Sequence, residues 1–95
     1  MENTVYILHS IKLDKFYTGE TADFNTRIEF HKNAESRKFT AKANDWTLFL
    51  KFQCENKTIA KKIELHIKKM KSKVYIKNLK KYPEIISKLK EKYKS

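Results

Sequence analysis

Thr4-Val5-Tyr6-Ile7-Leu8-His9-Ser10 is followed, after Ile11-Lys12-Leu13-Asp14, by Lys15-Phe16-Tyr17-Thr18-Gly19. The first run is rich in β-branched and aromatic side chains, which suit a pleated, half-buried surface, and it reads as a strand. Residues 11–14 are short enough for a turn and Lys15 to Gly19 supplies a second strand, so the stretch predicts a hairpin. The turn carries neither Asn-Gly nor Asp-Gly, the pairs that set a two-residue hairpin most directly. Gly19 is the chain's only glycine. Two readings of it stay open: a backbone that must take an unusual conformation or come close to a neighbour or ligand, and an ordinary strand end.

Beyond the hairpin the period changes. Phe24, Ile28 and His31 share one side of a predicted helix over 23–33, with Thr21 or Asp23 as its N-cap. Residues 34–45 are polar and read as a loop. Trp46, Leu48, Leu50 and Phe52 alternate with Thr47, Phe49, Lys51 and Gln53, which predicts a third strand. Asn56 can cap a helix with the stripe Ile59, Ala60, Ile63, Ile67 and Met70. Ser72 can cap another with Val74, Tyr75, Ile76 and Leu79, and Pro83 at a first-turn position starts a last one with Ile85, Ile86, Leu89 and Tyr93. The predicted order is β-β-α-β-α-α-α. A chain of 95 residues is short for one domain, so residues 1–82 and the lysine-rich helix over 83–95 are expected to form one unit.

The net charge of +11 lies at one end. Residues 1–56 carry eight basic and eight acidic side chains, whereas residues 57–95 carry fourteen lysines and three glutamates. Such a field attracts a polyanion, since every phosphate neutralised releases counterions. DNA, RNA and an anionic membrane surface are the candidates, against a merely solvated lysine-rich face. One cysteine, Cys54, excludes an intramolecular disulfide and a cysteine zinc cluster, and fits a reducing cytoplasm. The apolar runs fall far short of the ~20 residues of a membrane span, and no signal peptide is expected.

Five polar groups stand out. Arg27 and His31, four apart, share a helix face, where a guanidinium can grip two phosphate oxygens and an imidazole can move a proton. Glu64 is the one acid among ten lysines between Lys57 and Lys81 and lies beside the apolar stripe. It reads either as an ion-pair partner of Lys61 or Lys68, or as a ligand for a hard divalent cation. Tyr6 and Tyr17 lie in the two hairpin strands, as packing residues or as phenols that orient a water. His9, His66 and Cys54 have bland readings, and Trp46, Phe49, Phe52 and Tyr75 are expected in the core.

Val5-Tyr6-Ile7, Phe16-Tyr17-Thr18-Gly19, Arg27 with His31, and Glu64 on a later helix together resemble the GIY-YIG nuclease superfamily, from Val5 to about Leu79. The chain is most similar to the small single-domain branch, and more broadly to the N-terminal domain of the excision-repair incision subunit and to homing-endonuclease catalytic domains. The resemblance implies an α+β fold, a small three-stranded, mainly antiparallel sheet flanked by helices. It implies catalytic roles for Tyr6, Tyr17, Arg27, His31 and Glu64, with Glu64 holding a Mg²⁺ or Mn²⁺. Asn78 loosely matches an asparagine that some members carry, and Gly19 matches the motif glycine. Val5 replaces the usual first-motif glycine, and Glu20 puts a negative charge beside the motif.

The activity implied is hydrolysis of a DNA phosphodiester with one metal ion, RNA being left open. The alternative is a non-catalytic basic nucleic-acid-binding module with a vestigial site. Lys61, Lys68, Lys69, Lys71 and Lys73 are the expected nucleic-acid contacts, adding affinity without discriminating sequence. Relatives serve repair, restriction, mobile elements and recombination. Target choice is therefore expected from DNA structure or from a protein partner, and no membrane association is expected.

Overall fold

The computed structural model describes residues 2–26 and 45–94. Its strands are β1 (Asn3–Ser10), β2 (Lys15–Thr21) and β3 (Thr47–Cys54), and its helices are α1 (Lys57–Met70), α2 (Lys73–Lys81) and α3 (Glu84–Tyr93). The order across the sheet is β2-β1-β3, and both pairings are antiparallel. This is the expected α+β arrangement, with a wholly antiparallel sheet. Most of the predicted helix over 23–33 lies outside the described residues, as does the loop after it. Its start is visible: residues 24–26 are helical, and Asp23 Oδ1 accepts the Thr26 N–H at 3.2 Å. Asp23 is thus the cap, while Thr21 Oγ1 accepts the Asp23 N–H one step earlier. The two bonds from Thr26 hold the Asp23 carboxyl below its ordinary pKa.

The hairpin closes without a two-residue turn. Asp14 takes a left-handed conformation (φ 50°), and its N–H donates to the Ile11 carbonyl at 3.2 Å. The Leu13 N–H donates to Ser10 Oγ at 3.1 Å, and further partners come from outside the hairpin. Asp45, just before β3, accepts from Ser10 Oγ at 2.6 Å and from the Lys12 N–H at 2.9 Å. These bonds lower the Asp45 pKa and fix the turn against the third strand.

Residues of β1 alternate between two buried faces. Val5 and Ile7 face α1, where they join Ile59, Ala60, Ile63 and Ile67, with Ile76 and Leu79 of α2 and Ile86 and Leu89 of α3. Tyr6 and Leu8 fill the opposite face and are also fully buried. Three expectations are corrected here. The strict alternation of β3 breaks at a register shift between Ile7 and Leu8: Ile7 pairs with Leu50 but Leu8 with Leu48, leaving Phe49 as an extra residue. The bulge turns Phe49 to the core, against Phe16 at 5.1 Å, and leaves Leu48 exposed. The stripe of α1 ends at Ile67, because Met70 is in the exposed last turn. Trp46 is half-buried ahead of β3 and stands outside the main cluster.

The helix caps follow the sequence reading. Asn56 accepts the Ile59 N–H at 2.9 Å and Ser72 accepts the Tyr75 N–H at 3.1 Å. Pro83 occupies the N-cap of α3, one position before the expected first turn. Replacing Asn56 by alanine is expected to cost about 1 kcal/mol. A fall of about 4–8 °C in melting temperature checks this. Among the described residues no helix is long and apolar enough to cross a membrane.

His66 lies at the edge of the core, within its bland reading, and has two partners that the sequence did not indicate. Its Nδ1 lies 3.0 Å from Tyr93 Oη and its Nε2 3.1 Å from Tyr75 Oη, so one ring joins α1, α2 and α3. A neutral imidazole offers one donor and one acceptor, which suits two hydroxyls. Burial first, and then the charge of Lys92, pushes its pKa below 6.5. The folded state therefore binds this proton less readily than the unfolded chain. The stabilisation is complete above about pH 6.5 and is lost as the pH falls below it. Melting temperature should drop on acidification through that window, and His66→Gln should flatten the drop.

Candidate active site

Tyr6 on β1 pairs across the ladder with Gly19 on β2. Glycine is required here by space, since its φ is not positive. A Cβ at position 19 would lie 2.6 Å from Tyr6 Oη and 2.7 Å from Tyr6 Cζ. The bare backbone lets the Tyr6 ring lie across β2 and carries its hydroxyl toward the sheet edge. The close-approach reading of Gly19 is the correct one. Phe24, in the first helical turn after β2, meets the Tyr6 ring edge-on at 5.8 Å.

Tyr17 pairs with Leu8, which puts it on the Tyr6 face of the sheet, with the two phenol rings 6.4 Å apart. Because β2 is an edge strand, Tyr17 is part exposed and reaches the side where α1 passes. The Lys68 ammonium sits 6.0 Å from its ring centroid. The same ammonium is 3.0 Å from Glu64 Oε2. Tyr6, Tyr17, Lys68 and Glu64 therefore form one continuous line along the β2 edge.

Glu64 is presented by α1 next to the apolar stripe and is only 5% exposed. Burying a lone carboxylate is costly unless charge and hydrogen bonds replace the lost water. Lys61 and Lys68, one turn to either side, supply the charge at 3.2 Å and 3.0 Å. Both lysines are about half exposed, so their stems cover the helix while their heads stay wet. The ion-pair reading of Glu64 is thus realised, with both candidate partners. Glu64 Oε1 is buried without a well-formed hydrogen bond, its close contact being the Lys61 charge at 3.2 Å. The adjacent Glu64 carboxylate raises the pKa of Lys61, with smaller help from Glu20 and Tyr17.

Glu20 is the negative charge next to the motif. Its Oε2 accepts from the Asn3 side-chain amide, which is itself buried. The sequence reading missed Asn3. The signal was present, since once Tyr6 is set opposite Gly19, Val5 falls opposite Glu20 and Asn3 is its diagonal same-face neighbour.

The remaining expected site residues divide three ways. Arg27 and His31 lie outside the described residues. Asn78 stands on α2, where its carbonyl accepts the Tyr82 N–H at 2.7 Å, and no hydrogen bond or ion pair joins it to Glu64. Among the lysines, Lys61 and Lys68 pair with Glu64, Lys73 pairs with Asp14 at 2.8 Å, and Lys69 and Lys71 are exposed near the end of α1. Among the described residues no three histidine, cysteine or acidic side chains gather to enclose a metal ion. A hard cation that keeps most of its waters needs less: one carboxylate suffices, with the half-exposed Lys61 and Lys68 heads giving way to it.

A family model described as the GIY-YIG catalytic domain matches residues 2–82. A search of curated proteins gave no match. Among solved structures, the solution NMR structure of the UPF0213 protein BH0048 from Bacillus halodurans is similar, with 28% sequence identity and a TM-score of 0.51. That likeness covers 83% of this chain and 82% of the other.

Proposed function

The chain belongs to the GIY-YIG family, and from that premise we propose that it is an endonuclease hydrolysing DNA phosphodiester bonds at the Tyr17–Glu64 edge of the sheet. The observation that carries this reading is the convergence of Tyr6, Tyr17, Lys68 and Glu64, remote in sequence, on the side of one edge strand. A Mg²⁺ or Mn²⁺ would be held by the Glu64 carboxylate, and when bound it supplies Lewis-acid stabilisation of the phosphate and leaving oxygen.

The chain's own groups do the rest. Tyr17, part exposed, relays a proton: its oxygen accepts one from the attacking water while its own O–H proton passes to solvent. Tyr6, pinned over Gly19, orients the site from beneath. Lys61 and Lys68 draw the phosphate in. Arg27 neutralises charge developing on the phosphate and His31 assists the proton transfer, the roles that the family resemblance gives them.

Nicking of supercoiled plasmid tests the reading. The native chain with Mg²⁺ or Mn²⁺ is expected to give open circles, and chelator should stop it. Tyr17→Phe keeps the ring and loses the hydroxyl, and should slow nicking by about 100-fold or more. Equal background from native, chelated and Tyr17→Phe samples, with salt-sensitive DNA binding intact, would leave only a binding module.

A further inference from the structure

A cleft of about 440 Å³ opens beside Tyr17, between β2 and the junction of α1 with α2. Its size suits a small organic group, for which pockets of roughly 300–1,000 Å³ are usual. Its walls are of two kinds. Phe16, Tyr17, Ile67 and Ile76 make a largely apolar floor, and Lys15, Lys68, Lys71 and Lys73 stand around the rim. An apolar slot rimmed by cations complements a group with a flat apolar body and an anionic tail. Lys68 belongs both to this rim and to the Glu64 pair, so the cleft continues the line of site residues. Lys71 is exposed, with no ion-pair partner among the described residues, at a left-handed C-cap that turns the chain around the rim.

We propose that this cleft receives one unpaired nucleotide of the DNA strand that passes Tyr17, its base against Phe16 and Ile76 and its phosphate on Lys71. The proposal rests on the nuclease reading for the identity of the strand. It adds the substrate class: DNA with a base out of the duplex, as in single strands, bulges and flaps. Paired bases cannot enter the cleft, because their edges and faces are taken up by pairing and stacking. A base already unstacked enters without that cost, and contact with an aromatic floor holds any of the four.

The full chain, labelled at isoleucine methyl groups and kept in chelator so that nothing is cut, provides the test. A short mixed-sequence single strand is expected to shift the Ile67 and Ile76 methyl resonances through the ring currents of the bound base. The same strand annealed to its complement should leave them in place. Deoxyadenosine monophosphate should need roughly tenfold or more higher concentration for the same shift, since it lacks the neighbouring phosphates. Lys71→Asn, which tolerates the left-handed backbone, should weaken the single strand several-fold and reduce its salt dependence. Equal shifts from the duplex would make the cleft a general backbone surface, and equal shifts from the mononucleotide a small-molecule pocket; either overturns the proposal. Methyl groups that stay still while plasmid is nicked sink the cleft and spare the nuclease. Methyl groups that shift in a chain that never nicks do the reverse.

Discussion

Glu64→Gln is expected to fold normally and to lose cleavage by about 100- to 1,000-fold, the size seen when one group that stabilises transition-state charge is removed. The argument starts from burial. Glu64 is nearly covered, keeps one oxygen without a hydrogen bond, and is the acid on which Lys61 and Lys68 converge. Glutamine has the same shape, so the helix packing against Ile63 and Ile67 stays. It removes the buried charge itself rather than its partners, and the half-exposed lysines return to water, so little stability goes with it. A urea midpoint close to native checks that half of the expectation. Nicking with saturating Mn²⁺ checks the other, and a glutamine variant that cuts as fast as native rules this carboxylate out. DNA binding should hold or tighten, because the region loses one negative charge and the polyanion attraction grows.

Gly19→Ala is expected to be the most damaging small substitution at the site. The new methyl group would stand 2.6 Å from Tyr6 Oη, inside any real carbon contact. A terminal hydroxyl on a free side chain would swing away. Tyr6 is wholly buried, between Tyr17 at 6.4 Å and Phe24 at 5.8 Å, and has nowhere to go. Overpacking of this kind costs about 1–3 kcal/mol. The displaced ring should also push Tyr17 off its place near Lys68, so nicking should fall beyond the loss of folded protein. A double-mutant cycle isolates the cause: in a Tyr6→Ala background the alanine at 19 should cost little. An unchanged penalty there would mean that the clash is with something else.

How far the sequence foretold this molecule depends on which residues carried the information. Strands and caps were legible because their signals are local: β-branched and aromatic runs at 4–10, and Asn56 and Ser72 immediately before apolar stripes. Tyr6, Tyr17, Gly19 and Glu64 were legible only as an ordered set, since each alone reads as packing or an ion pair. What could not be read came from register and from long-range closure. The bulge that exchanges Phe49 for Leu48 depends on how β3 aligns with β1, and the strict alternation of its residues gave no warning. The clasp of His66 on Tyr75 and Tyr93 depends on three helices meeting, which no spacing encodes. Met70 continued a stripe by arithmetic but met the end of the helix instead.

The Asp45 contacts with the hairpin turn have a consequence for the order in which the chain is made. Ser10 and Lys12 find their partner 35 and 33 residues later. As the N-terminus leaves the ribosome, its first two strands lack the carboxylate that fixes their turn, and β1 lacks β3 on its other side. Closing so long a loop has an entropic cost that must be met before the contacts form. The hairpin therefore locks late in translation, and until then β1, the most buried strand of the finished sheet, is within reach of chaperones and of other nascent chains.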